Sequence, residues 1–212
     1  MKDIVQKFLT AGERLEIERH VRAAESLSAG QIVVMAVSSS SRYPDGVLAG
    51  SGTLAMLIAL SATLATGSEN MWLFLLFFSI LFVVMHEVMK RTLFLQRLFV
   101  NRREMSGEVE EAAFKAFFHR KVHETSQRTG ILIYISLFER SVRVLADSGI
   151  DSKVGSSMWQ EVVDMITAGI VEGRPAEAIC RAVDRCAEIL QHHFPSQTDD
   201  RNELADAMII GH

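Results

Sequence analysis

Two cysteines and three prolines stand in 212 residues. Two thiols are too few for a disulfide-rich secreted scaffold, and three prolines exclude a collagen-like chain. Cys180 and Cys186 lie six apart in one expected helix, which sets their Cα atoms about 9 Å apart, too far for a bridge. They read as small buried apolar residues, and unpaired thiols fit a reducing compartment. Neither sign of charge is in large excess. With 22 Lys+Arg against 26 Asp+Glu, the net charge of −4 offers no basic footprint, so no nucleic-acid partner is expected. The first residues, MKDIVQK, contain no apolar run, so no cleavable signal peptide is expected. Scarcest of all is charge between residues 47 and 85, where Glu69 stands alone. Outside that block the composition is that of an ordinary folded domain, neither disordered nor fibrous.

The apolar block divides in two. Residues 47–66, VLAGSGTLAMLIALSATLAT, are long enough at about 1.5 Å per residue to cross roughly 30 Å of hydrocarbon. Residues 71–85, MWLFLLFFSILFVVM, are more apolar still, and Val88 and Met89 extend them past His86 and Glu87. Gly67, Ser68, Glu69 and Asn70 join the two, so the spans must run antiparallel. The competing reading is a buried helical hairpin in a soluble core, but such cores rarely hold two helices apolar all round. Lys90, Arg91, Arg97, Arg102 and Arg103 follow the second span, Arg42 precedes the first, and the turn carries no cation. The positive-inside rule then puts both flanks and both termini in the cytoplasm and the turn outside, as for a bacterial inner-membrane protein. The segment 89–103, MKRTLFLQRLFVNRR, mixes Leu93, Phe94, Leu95, Leu98, Phe99 and Val100 with its cations. It reads as a membrane-surface stretch that either sets topology or lies among anionic headgroups and senses lipid. Gly46 and Gly50 have the spacing of a close helix contact, here read as ordinary small residues.

The rest alternates strands and helices. Thr10 to Glu13 has capping-box spacing, and Leu15, Ile17, Val21, Ala24 and Leu27 follow at helical period, with Gly30 as the stop. Gln31 to Val37 is a short, continuous, β-branched run that reads as a strand buried on both faces. Ser38 to Asp45 reads as a loop. A helix is expected over 107–125, capped by Ser106, then strands over 131–137 and 142–147 joined by the turn Phe138-Glu139-Arg140. Two such close runs make an antiparallel hairpin. Ser157 to Gln160 suggests a second capping box, Gly173 a stop, and Pro175 the first residue of a helix over 175–191. This order argues an α/β domain with a small mixed sheet, the membrane hairpin being inserted between its first two strands. The expected divisions are 1–46 and 90–195 for the two parts of the folded domain, 47–89 for the hairpin and 196–212 for a polar tail.

These residues resemble the TPM-domain family. The resemblance rests on Leu9-Thr10-Ala11-Gly12-Glu13, Gly30 to Val34, Arg128 to Ile133, Ser136 to Arg140 and Val144 to Ile150, then Trp159, Phe194-Pro195 and Asn202-Glu203-Leu204. The order of the set carries it, and it looks most like a membrane-bound bacterial branch. The resemblance implies an α/β/α sandwich, divalent-metal binding by Ca2+ or Mg2+, acid-phosphatase-like activity in some members, and service to membrane complexes. Many members have an acidic-Asn-Gly run before the second strand where this chain has Arg128-Thr129-Gly130. Many have Gly-Tyr-Gly after the third strand where it has Asp147-Ser148-Gly149.

Ligands of open α/β sheets gather at loops beyond strand ends. A hard cation needs converging oxygens, which makes Ser38, Asp45, Asp147 and Asp151 the metal candidates. Glu139 and Arg140, in the hairpin turn, are the candidate partner contact. His119 and His123, four apart on the expected helix, have chelating spacing but no third ligand. His192-His193 suit a helix C-terminus, and Asp199-Asp200 an acidic loop. The chain has no phosphate loop, dinucleotide glycine run, nucleophile elbow or Cys-x-x-Cys. The sequence therefore reads as a membrane-anchored, non-catalytic interaction module whose partners are the lipid bilayer and another membrane protein. The alternative is a metal-dependent acid-phosphatase-like enzyme.

Overall fold

The computed structural model describes residues 2–67, 70–125, 127–195 and 209–211. The turn residues Ser68 and Glu69, the acidic pair Asp199-Asp200 and the stretch Asn202-Glu203-Leu204 lie outside them. The chain folds as two compact units, residues 1–40 with 106–212, and the insertion Ser41–Met105.

The first unit is built on a four-stranded mixed sheet in the order β3-β2-β1-β4. β1 (Gln31–Val37) and β2 (Gly130–Ser136) are parallel neighbours, Gln31 opposite Gly130 and Val37 opposite Ser136. β3 (Ser141–Ala146) returns antiparallel to β2, so the strand–crossover–strand unit and the hairpin stand as the pattern implies. β4 (Ile209–Gly211) adds a short parallel edge beside Met35 to Val37. The alternation of β1 and β2 supplies two cores. Ile32, Val34, Ala36, Ile131, Ile133 and Ile135 face a layer of helices α2 (Ala11–Glu25), α8 (Ser156–Val171) and α9 (Pro175–His193). Val33, Val37, Leu132 and Tyr134 face Val109, Ala113 and Phe117 of α6 (Arg102–His119). The result is an α/β/α sandwich, completed by α1 (Lys2–Phe8) and α7 (Ser148–Asp151).

Local signals explain most element ends. The Thr10 hydroxyl accepts from the Glu13 amide at 3.3 Å while the Glu13 carboxylate accepts from the Thr10 amide at 2.7 Å, a complete capping box. Gly173 closes α8 at φ 76°, and Pro175 opens α9 at its first turn. Four expectations are corrected. Leu15 and Leu27 are exposed, so α2 packs on Ile17, Val21 and Ala24 alone. The Ser157 box is absent: Gly155 is the cap residue of α8, without a side-chain bond, and Gln160 donates to Asp164 instead. Ser106 lies inside α6, which begins at Arg102, and accepts a hydrogen bond from Arg143 at 2.9 Å. That helix ends at His119, and the left-handed Lys121 (φ 57°) then reverses the chain, so His119 and His123 do not share a helix face.

The inserted unit pairs α3 (Pro44–Ala65) with α4 (Met71–Arg91). Both are long and apolar enough to span a bilayer, and no residue of the apolar window of α4 is buried. Met71, Trp72, Leu75, Leu76, Ile80, Val83 and Val84 all face outward, where a soluble helix would carry charge. The seam uses small residues of α3, with Gly50, Ser51, Ala55 and Ala59 buried. A Cβ on Gly50 would strike Met89 and come within 2.8 Å of Phe99, so the glycine is required by close approach. On α4, Phe74, Phe78, Phe82 and His86 stack at four-residue intervals, with centroids about 6 Å apart. Helix α4 stops at Thr92 and α5 (Leu93–Phe99) follows. The buried Gln96 amide donates to the Met89 carbonyl at 2.8 Å, which also accepts from the Thr92 amide at 3.2 Å, and so ties the end of α4 to α5. The compact insertion is thus longer than the hairpin alone, because α5 packs with it.

Candidate functional site

Because β3 runs against β1 and β2, its carboxyl end lies beside the amino ends of its neighbours. Asp147 donates its amide to Gly130 O at 2.9 Å, whereas Ser38 follows the last residue of β1. A seven-residue strand of about 3.3 Å per residue, roughly 23 Å, separates the two. The four metal candidates therefore do not converge. Ser38 sits at one end of the sheet and Asp147 and Asp151 at the other, as the cap and last residue of α7, and Asp45 belongs to the first turn of α3 in the other unit.

At the Asp147 end, two loops are pressed backbone to backbone. Arg128 is left-handed (φ 56°), and a Cβ on Gly149 would meet its carbonyl at 2.5 Å. The Asp147 carboxylate is 5% exposed. Its Oδ1 caps α7, accepting from the Ser148 amide at 2.6 Å and hydroxyl at 3.1 Å, and lies 4.0 Å from the Arg128 guanidinium. Its Oδ2 is buried without a hydrogen-bond partner. A divalent cation takes six or more oxygens, mostly carboxylate. One open carboxylate oxygen beside an arginine, with Asp151 exposed, does not make that cage, and no group of three His, Cys, Asp or Glu side chains gathers among the described residues.

The opposite end holds a polar cluster. Glu139 is only 7% exposed, and its Oε1 accepts from the Ser40 amide at 2.9 Å and the Ser39 hydroxyl at 3.2 Å. Its Oε2 accepts from the Ser136 hydroxyl. Ser136 in turn accepts from Ser40 at 3.0 Å, and Ser40 lies 3.3 Å from the Tyr134 hydroxyl. With the Ser40 proton given to Ser136, Tyr134 is left to donate, so the chain runs from phenol to carboxylate. Burial pushes the Tyr134 phenol above its ordinary value, and the Glu139 charge adds to that. Glu139 points inward, where these three donors meet its charge, while Arg140, left-handed at φ 51° and exposed, faces solvent. Ser40 is the last residue before the insertion, so this cluster fastens the point where the chain leaves the sheet. Sequence reasoning missed its members other than Glu139. The run Ser38 to Ser41 and the Tyr134-x-Ser136 alternation, which puts both on one strand face, were the available signals.

The cationic residues lie around α5. Lys90, Arg91, Arg102 and Arg103 are exposed and Arg97 half-buried, with Arg91 paired to Glu87 at 2.7 Å. The cysteines are inert, both buried and unpaired. Burial raises the Cys180 thiol to about 11 and the Cys186 thiol to about 12.

No curated protein matches the chain at a significant level. A solved structure, the BA42 protein of the psychrophilic bacterium Bizionia argentinensis, shares the fold with a TM-score of 0.60 at 19% identity, over 96% of each chain. The TPM domain matches residues 95–189, which run from α5 through α9 and include both loops at the Asp147 end. The sandwich and the structural neighbour agree on the fold, and within it residues 95–189 match the TPM domain.

Proposed function

We propose that this protein is a bilayer-anchored TPM-domain module that docks on another membrane protein and takes part in assembly or maintenance of its complex without catalysing a reaction. The observation that carries this reading is α4, whose apolar window buries none of its side chains, within a chain whose other unit is a TPM sandwich. A hydrocarbon environment stabilises such a helix and water does not. Cations cluster after α4 and are missing from the turn sequence, which supports a cytoplasmic domain with both termini inside a bacterial inner membrane. The non-catalytic part is supported by Asp147 acting as a helix cap and by Glu139 being engaged by three internal donors.

A second reading, a metal-dependent acid-phosphatase-like enzyme, is favoured by one observation. Asp147 Oδ2 is buried with no partner, and such an oxygen calls for a proton, a water or a cation. Phosphate release by the purified protein with Mg2+ or Ca2+ discriminates the two. No turnover above buffer, with the same result for Asp147→Ala, is the outcome expected of a docking module. Turnover that disappears in Asp147→Ala makes it an enzyme. Co-purification in mild detergent from native membranes identifies the docked protein.

A further inference from the structure

Helix α5 turns two large apolar side chains away from everything the chain offers them. Phe94 is 79% exposed and Leu98 74% exposed, four residues apart and therefore on one face. The helix is not loosely hung. Gln96, on the inner face, donates to Met89 O at 2.8 Å and reaches Lys90 O at 3.4 Å, which ties α5 to the last turn of α4. The close approaches of Gly50 to Phe99 and Gly46 to Val100 hold its far end against α3. A short helix fixed in this way presents its apolar face by construction.

The charge within residues 88–103 has one sign, with Glu87 and Glu104 just beyond the two ends. Residues 88–103 contain Lys90, Arg91, Arg97, Arg102 and Arg103 and no carboxylate. The Glu87 carboxylate, one residue upstream, is neutralised by Arg91 at 2.7 Å, Arg97 is half-buried, and Lys90, Arg91, Arg102 and Arg103 are exposed. Apolar anchors rimmed by cations at the end of a bilayer-length helix match the boundary where acyl chains meet phosphate headgroups. A soluble protein partner of the same chemistry would have to bring an acidic rim and compete with the leaflet for a face adjoining α4.

We infer that α5 is an interfacial helix that inserts Phe94 and Leu98 into the leaflet where α4 ends and binds anionic phospholipid headgroups through Lys90, Arg91, Arg102 and Arg103. The inference rests on the hairpin being in the bilayer, and the test separates the two. Trp72, 75% exposed in the first turn of α4, reports on the hairpin once Trp159 is changed to Phe. That substitution removes a buried indole N–H that has no acceptor. A second variant, Trp72→Phe with Trp159→Phe and Phe94→Trp, places the only indole on α5.

Both full-length proteins are reconstituted in phosphatidylcholine vesicles containing brominated phosphatidylcholine or brominated phosphatidylglycerol, and fluorescence quenching is compared. Expected is quenching of both indoles, with the one at position 94 favouring the anionic lipid by about fivefold or more, the factor that one cation–headgroup contact of ~1 kcal/mol supplies. That preference falls towards unity in Lys90→Gln, Arg91→Gln, Arg102→Gln, Arg103→Gln, while Trp72 shows little in either background. Equal quenching by the two lipids at position 94 overturns headgroup binding. Quenching of Trp72 without quenching at position 94 overturns the interfacial helix and assigns its face to a protein. If neither is quenched, the hairpin is not in the bilayer, and the anchoring reading falls together with this one.

Discussion

Glu139→Ala leaves the half-buried Ser40 amide and the buried Ser136 hydroxyl without their carboxylate acceptor, a loss of about 1–3 kcal/mol. Glu139→Gln keeps one carbonyl oxygen and loses less. Thermal unfolding of the detergent-solubilised protein, followed by circular dichroism, ranks the two. The Thr10 hydroxyl and amide hold the Glu13 carboxyl below its ordinary 4.5. Its contribution is therefore present above that value and lost as pH falls through the lower folded one. Glu13→Gln keeps a capping oxygen but loses the charge, so it should lower the melting temperature near neutrality only slightly and flatten its decline as pH falls below 4.5. At this scale the capping box was legible because it is local, three residues apart. The burial of Glu139 was not, because its donors at Ser39 and Ser40 lie about a hundred positions away and only the parallel register brings them near. The separation of Ser38 from Asp147 follows from β3 running backwards, which the expected antiparallel hairpin already implied.

The elements read well where periodicity is strong. β1, β2, α3, α4 and α9 fall within a few residues of their expected bounds because runs of one hydropathy define them. Three were missed for physical reasons. α1 and α7 are seven and four residues long, too short to show a period, and β4 is three residues whose partner is distant in sequence. The α3–α4 seam makes a sharp prediction. Gly50→Val forces a branched side chain against Met89 and Phe99, so the hairpin should separate or shift, with a loss of about 1–3 kcal/mol. Alanine at the neighbouring glycine, Gly52→Ala, meets open space and serves as the neutral control. Gln96→Leu removes the donor to the end of α4 and should speed tryptic cleavage after Arg97, read by mass spectrometry of the fragments.

For the molecule as a whole, anchoring and orientation are tested together. Cysteine placed at the turn by Glu69→Cys should react with an impermeant maleimide applied to intact cells. Cys186, wholly buried with its thiol raised to about 12, should react only after unfolding. Labelling of the turn from the cytoplasmic side alone would reverse the topology. The sheet has a further consequence, in the order of biosynthesis. β1 ends at Val37 and its central neighbour β2 begins at Gly130. At a translation rate of about 5–20 residues per second, a ribosome takes roughly 5–20 s to supply that neighbour. For that interval an almost wholly apolar strand waits with both edges open, the state most prone to aggregation. Both α3 and α4 emerge within the same interval. On the proposed anchored reading, delivery of the nascent chain to the insertion machinery precedes closure of the sandwich, and a mutation that slows insertion should show first as loss of protein to quality control, not as a misfolded membrane segment.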